Sequence, residues 1–153
     1  MSLFIFTKQN NADFSCDITL KELAGRLKSL YRDVEIIDEV TIRIDCFSAE
    51  LRHQAGTPYF IVQSAIAIPD NMLPSDGDLY NYCNEMNEQF QAKIFFHKYD
   101  NATALFFRYF VPNLNKMNIA TINQIFIWLM SETERGWKEF EKRFPEKEVE
   151  SKN

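Results

Sequence analysis

Only four glycines, Gly25, Gly56, Gly77 and Gly136, are spread over 153 residues. No two stand close enough for a G-x-G-x-x-G turn or a Walker loop, so no phosphate cradle is built from sequence. The G-x-S-x-G elbow of hydrolases is missing too. Cysteine is scarce: Cys16, Cys46 and Cys83 form no C-x-x-C pair and no even-numbered framework. The plain reading is free thiols in a reducing cytosol, with no disulfide and no structural metal. His53 and His97 are the only histidines, and neither has a second ligand at metal-helix spacing. A metal site from His53, His97 and Cys46 would need a fold that happens to gather them. A nucleophilic pair of Cys83 with His97 would need a thiolate-stabilising setting that no local motif provides.

Long apolar runs are absent as well, so no transmembrane span is expected. The start, Met1 to Lys8, has too short an apolar core and no basic leader for a signal peptide. Cytoplasmic location follows as the default. Nor is there an excess of positive charge. Against 17 basic residues stand 22 acidic ones, a net charge of −5, which disfavours general binding to nucleic acid and suits a partner of basic or mixed charge. Asp76, Gly77 and Asp78 beside Ser75 fall short of a calcium loop, because its remaining oxygen positions are missing. Capping of a helix by these residues is the simpler role.

What the chain does have is phenylalanine, fourteen in all, within a 46% hydrophobic, 25% charged composition. That is the composition of one ordinary globular domain, expected over residues 1–145, with a disordered charged tail over 146–153. The chain is organised around Asp76 to Val111. A helix over Asp78–Phe90 carries Leu79, Cys83, Met86 and Phe90 as one apolar stripe. A strand over Ala92–Tyr99, a two-residue turn at Asp100-Asn101 and a strand over Ala102–Val111 follow. The turn residues tolerate positive φ, as tight hairpins often need.

Before this unit, Leu3–Thr7 reads as an edge strand or packed tail. Thr19 and Glu22 form a capping box, with Ile18 and Leu23 placed as a hydrophobic staple. Leu20, Leu23, Ala24, Leu27, Leu30 and Tyr31 line one helix face. From Val34 the period becomes two, with a slip at Cys46-Phe47 that suggests a bulge or break, and Gly56-Thr57-Pro58 turns the chain. Tyr59–Ile68 is apolar on both sides, which predicts a central strand covered on both faces. After the hairpin, Asn118 caps a long helix to about Arg143, striped by Ile122, Ile125, Phe126 and Leu129, then by Trp137, Phe140 and Phe144. Gly136 is a weak point in it, and Pro145 ends it. The fold class is therefore α+β, an antiparallel sheet with three helices in the order α-β-β-β-α-β-β-α.

This order resembles the type III secretion chaperone-like fold and, more closely, the YbjN-like family of candidate bacterial sensory transduction regulators. The likeness spans roughly Leu20 to Arg143. It is carried by Asn84, Glu85, Met86 and Asn87 at the helix end, by the strand start Ala92-Lys93-Ile94, by Asp100 at the turn, and by Ile122, Phe126 and Leu129. The resemblance brings no catalytic residues. It implies a non-enzymatic partner-binding or regulatory protein, often dimeric.

Asn84 and Asn87 share a helix face, where buried amides could bond carbonyls of the last turn or of the neighbouring strand. A ligand contact is the competing reading. In the hairpin, Leu105, Phe107, Tyr109 and Val111 lie on one face, and Phe106, Arg108 and Phe110 on the other. Ile94 and Phe96 likewise oppose Phe95, His97 and Tyr99. Three helices cover one sheet face readily and two with difficulty. Phe95, Tyr99, Phe106 and Phe110 are therefore the candidate partner or dimer face, unless the last helix or the amino-terminal run covers it. The expected function is a cytosolic protein-binding or regulatory module without cofactor, dimeric by C2 pairing. One alternative is a small ligand-binding domain or enzyme with a pocket between sheet and helices, using His53 or His97. A toxin-neutralising immunity protein is the other.

Overall fold

The computed structural model describes residues 19–44, 49–53 and 59–147. Leu3–Thr7, Ile18, Cys16, the slip at Cys46-Phe47, the turn at Gly56-Thr57-Pro58 and the tail beyond Lys147 lie outside the described residues.

Helix α1 (Leu20–Lys28) starts at the expected capping box. The Thr19 N–H donates to Glu22 Oε2 over 2.7 Å, and the Glu22 N–H donates to Thr19 Oγ1 over 3.2 Å. Leu23, Ala24 and Leu27 are buried. Leu30 lies past the last turn and is exposed, whereas Tyr31 packs on the core, its ring edge to face with Phe126.

Four strands follow: β1 (Val34–Asp38), β2 (Thr41–Ile44), β3 (Ala49–His53) and β4 (Tyr59–Ile68). The fold class holds, and the first run of strands is one longer than expected because a hairpin at Glu39-Val40 divides it. Helix α2 (Asp76–Gln89) leads to β5 (Lys93–Tyr99), β6 (Ala102–Pro112) and α3 (Ile119–Arg143). Ser75 is the cap of α2, accepting from the Asp78 N–H, and Asn118 caps α3 by accepting from Thr121. All six strands join one antiparallel sheet in the order β1-β2-β3-β4-β6-β5.

The hairpin turn falls at Asp100-Asn101, with Tyr99 opposite Ala102. Neither turn residue has positive φ; among the described non-glycine residues only Asn113 does, at 50°. A two-residue turn can be made with negative φ, so the turn was legible and its backbone type was not.

Helices pack on one face of the sheet. There α3 lies against β4 and β6, α2 against β5, and α1 against β1 and β2. That face carries Ile42, Leu51, Val62, Leu105, Phe107 and Ile94, all buried. It also holds Ser64, which shares a 2.5 Å hydroxyl bond with Thr133 of α3. β4 is interior, as expected, but its two faces differ. Phe60, Val62, Ser64 and Ile68 are buried, while Tyr59 and Ala67 are exposed and Ile61, Gln63 and Ala65 half-exposed. The expectation of cover on both faces is thus corrected. Alanine and isoleucine made the outward side look like core, yet all three described helices pack on the other side.

Pro145 ends α3 as predicted. Just beyond it the Lys147 N–H donates to Asn71 O over 3.0 Å, so the first residues after the helix are tied to the loop before α2.

Candidate functional site

The open face of the sheet is built from alternate residues of six strands, and the pairing register sets them in straight rows. One row crosses the whole sheet: Glu35, Arg43, Glu50, Gln63, Arg108 and Lys93, one residue from each strand in spatial order. Its side chains form a chain of bonds. Arg43 Nη2 reaches Glu50 Oε1 at 3.3 Å, and Gln63 Nε2 donates to Glu50 Oε2 at 3.3 Å. Arg108 gives Gln63 Oε1 two bonds, from Nε at 3.0 Å and from Nη2 at 2.7 Å. Opposite charges alternate from Glu35 to Glu50, as cross-strand pairs favour. At the other end two cations, Arg108 and Lys93, stand directly opposite each other. Burial, with Arg52 nearby, lowers the Arg108 pKa below its ordinary value.

Aromatic rings flank this row. Phe95 stacks on Phe106 with centroids 5.1 Å apart and planes 9° from parallel. The Arg108 guanidinium lies 4.5 Å from the Phe95 centroid, within cation–π range. Phe110 is 50% exposed and Tyr99 54%, more than any other phenylalanine or tyrosine of this face. Tyr99 meets His97 edge to face at 4.6 Å. Beside Phe106, small residues Ala65, Ala67 and Ala104 floor a shallow groove of about 690 Å³, walled by Tyr99 and Phe106 on one side and by Arg43, Glu50 and Arg52 on the other.

Phe95, Tyr99, Phe106 and Phe110 therefore share the face that no described helix covers, as their alternation implies, with Phe95 and Phe106 half-buried. The asparagine pair divides. Asn87 clamps β5: its Nδ2 donates to Ile94 O at 2.9 Å and its Oδ1 accepts from the Ile94 N–H at 2.6 Å. It satisfies the sheet edge as a neighbouring strand would. Asn84 and Asn87 are both exposed, so neither is the buried amide expected; the expected bond to the neighbouring strand is made by Asn87 alone.

His53 and His97 do not converge. His53 pairs with Phe60 on the helix-covered side and stacks on it at 4.7 Å, whereas His97 is on the open side. Cys83 is buried under α2, so the sheet separates it from His97. Burial pushes its thiol up to about 11, which leaves it protonated and a poor nucleophile near neutral pH. Among the described residues no group of three His, Cys, Asp or Glu side chains could hold a metal ion.

Two features escaped the sequence reading. The cross-strand row could have been found from Gln63 and Arg108, each a long polar side chain on the outward side of an apolar strand. Glu132 of α3 had no local signal. It accepts from the Gln91 N–H at 3.0 Å, the Ala92 N–H at 2.7 Å and the Tyr109 hydroxyl at 2.8 Å, fixing the entry to β5. Burial and this bond raise the Tyr109 pKa.

No family model and no curated protein matches the chain. A solved structure does: YbjN from E. coli, described as a candidate transcription regulator, with a TM-score of 0.59 over 84% of this chain and 94% of that one. The fold is YbjN-like. At 14% identity the likeness is one of fold, and it carries neither membership of the family nor kinship with secretion chaperones. No helix among the described residues is long and apolar enough to cross a membrane.

Proposed function

We propose that this chain is a non-enzymatic regulatory module that acts by binding protein through the open face of its sheet. One observation carries the reading. All three described helices pack on one side of the six-stranded sheet, and the other side presents Phe95, Phe106, Phe110 and Tyr99 around a bonded polar row. Exposed aromatic surface set among arginine and polar groups is the composition of protein interfaces. The placement of His97 on the opposite side of the sheet from His53 and Cys83 supports the non-enzymatic part.

A homodimer is the second part of the reading. It is favoured by Ile127, which is 45% exposed on the outward side of α3, away from the open face. Light scattering over a wide concentration range tests it. A dimer is expected, and Ile127→Glu shifts it toward monomer while Phe110→Glu leaves it intact, because an unpaired charge is costly to bury. A monomer at every micromolar concentration would remove the homodimer. The broader reading fails if the open face makes no protein contact in cells.

A further inference from the structure

The polar row of the open face is balanced at one end only. Glu35 faces Arg43, and Arg43 faces Glu50, which also accepts from Gln63. Beyond Gln63 the pattern breaks. Arg108 is half-buried and, among the described residues, hydrogen-bonds only the neutral amide oxygen of Gln63, while its partner on β5 is Lys93. Like charges directly opposite on neighbouring strands are unfavourable. A guanidinium has five donors and is strongest when it grips a carboxylate with two of them. The row thus lacks an acid where Arg108 and Lys93 meet. The rings of Phe95, Phe106 and Phe110 and the alanine-floored groove lie next to that point.

We infer that this end of the open face docks an acidic segment of a different protein, whose carboxylate caps Arg108 and Lys93 while a neighbouring apolar side chain sits on Ala65 and Ala104 beside Phe106. The inference rests on the partner-binding reading above and names the chemistry of the partner. Charge decides between occupants. A second copy paired about a two-fold axis at this end would bring another Arg108 and Lys93. Single-stranded nucleic acid would use free rings and a uniformly basic face. Here Phe95 and Phe106 stack on each other, Tyr99 is engaged by His97, and the carboxylates of Glu35 and Glu50 share the face.

The test uses the full chain and three probes: a short synthetic peptide with glutamates and leucines in a glycine-serine background, its lysine-for-glutamate counterpart, and a short oligo(dT). Backbone amide shifts locate each probe, and titration gives its affinity. The glutamate peptide is expected to move the amides of Lys93, Ala104, Phe106 and Arg108. It should bind about tenfold more tightly than the lysine peptide, and weaken as salt is raised. Lys93→Gln, at an exposed position, and Arg108→Gln should each weaken it about fivefold, with Arg108→Lys keeping part of the affinity. Equal or tighter binding of the lysine peptide on the same face overturns the acidic partner and leaves the partner-binding reading standing. The acidic partner is likewise overturned if oligo(dT) binds most tightly there, or if light scattering shows a dimer that Phe110→Glu dissociates. Failure of the glutamate peptide to bind also overturns the inference. Shifts confined to the helix layer overturn both.

Discussion

The ring of Phe107 on β6 fills the space that a side chain at Gly136 of α3 would need. A Cβ placed on Gly136 would stand 2.7 Å from the Phe107 Cζ, and closer still to Cε1. The same residue's carbonyl accepts the Tyr82 hydroxyl at 2.6 Å, so α2, α3 and the sheet meet at this point.

Gly136→Ala should therefore destabilise the protein. In a free helix the change would gain about 1 kcal/mol. Here overpacking against a fully buried ring costs about 1–3 kcal/mol and outweighs it. Denaturant unfolding checks the sign, and an increase in stability would show that α3 can move away from Phe107.

Composition and period located this helix, its cap at Asn118 and its stripe through Leu129, and they exposed Gly136 as anomalous. They could not supply the reason, since Phe107 is distant in sequence and only the packing of α3 on β6 brings the two together. The open face was legible in the same measure. Alternation assigned Phe106 and Phe110 to one side and Phe107 and Val111 to the other, because period two is a local property. Which side the helices would cover on β4 was not legible, since Ala65 and Ala67 suit either environment. The row from Glu35 to Lys93 was out of reach because it depends on the register of five strand pairings, fixed by no single segment.

Asn87 and Asn84 should part company in stability. Asn87→Ala removes two bonds to the Ile94 backbone and leaves an edge donor and acceptor without that partner, a loss of about 1–2 kcal/mol. Asn84→Ala changes an exposed side chain and should stay within about 0.5 kcal/mol. Parallel unfolding curves measure both. Equal losses would mean that Asn84 has a role the fold does not reveal.

Cys83 gives a prediction for alkaline pH. Burial raises its thiol from 9.0 to about 11 in the folded protein. Above about pH 9 the unfolded chain loses this proton first, so the unfolded state binds fewer protons and stability falls as pH rises. The contribution is fully present below about pH 9 and is lost toward pH 11. Cys83→Ala should reduce the alkaline loss by about 1 kcal/mol near pH 10. Tyr82 and Tyr109, whose burial also raises their pKa values, continue to contribute. Denaturant midpoints for both proteins across this range are the check, and identical pH slopes would show that Cys83 is accessible to solvent.

The proposed function requires that the open sheet face, and not the helix layer, meets other proteins. Site-specific photo-crosslinking in the native cells tests this most directly, with a photoreactive phenylalanine analogue placed in turn at Phe110, Tyr80 and Ile127. These are 50%, 62% and 45% exposed, so access to solvent is similar, while only Phe110 lies on the open face. A discrete adduct with a different protein, weakened by Arg108→Gln, is expected from position 110, with none from position 80 and at most a second copy of this chain from position 127. Adducts with a different protein from the helix positions, and none from 110, would contradict it.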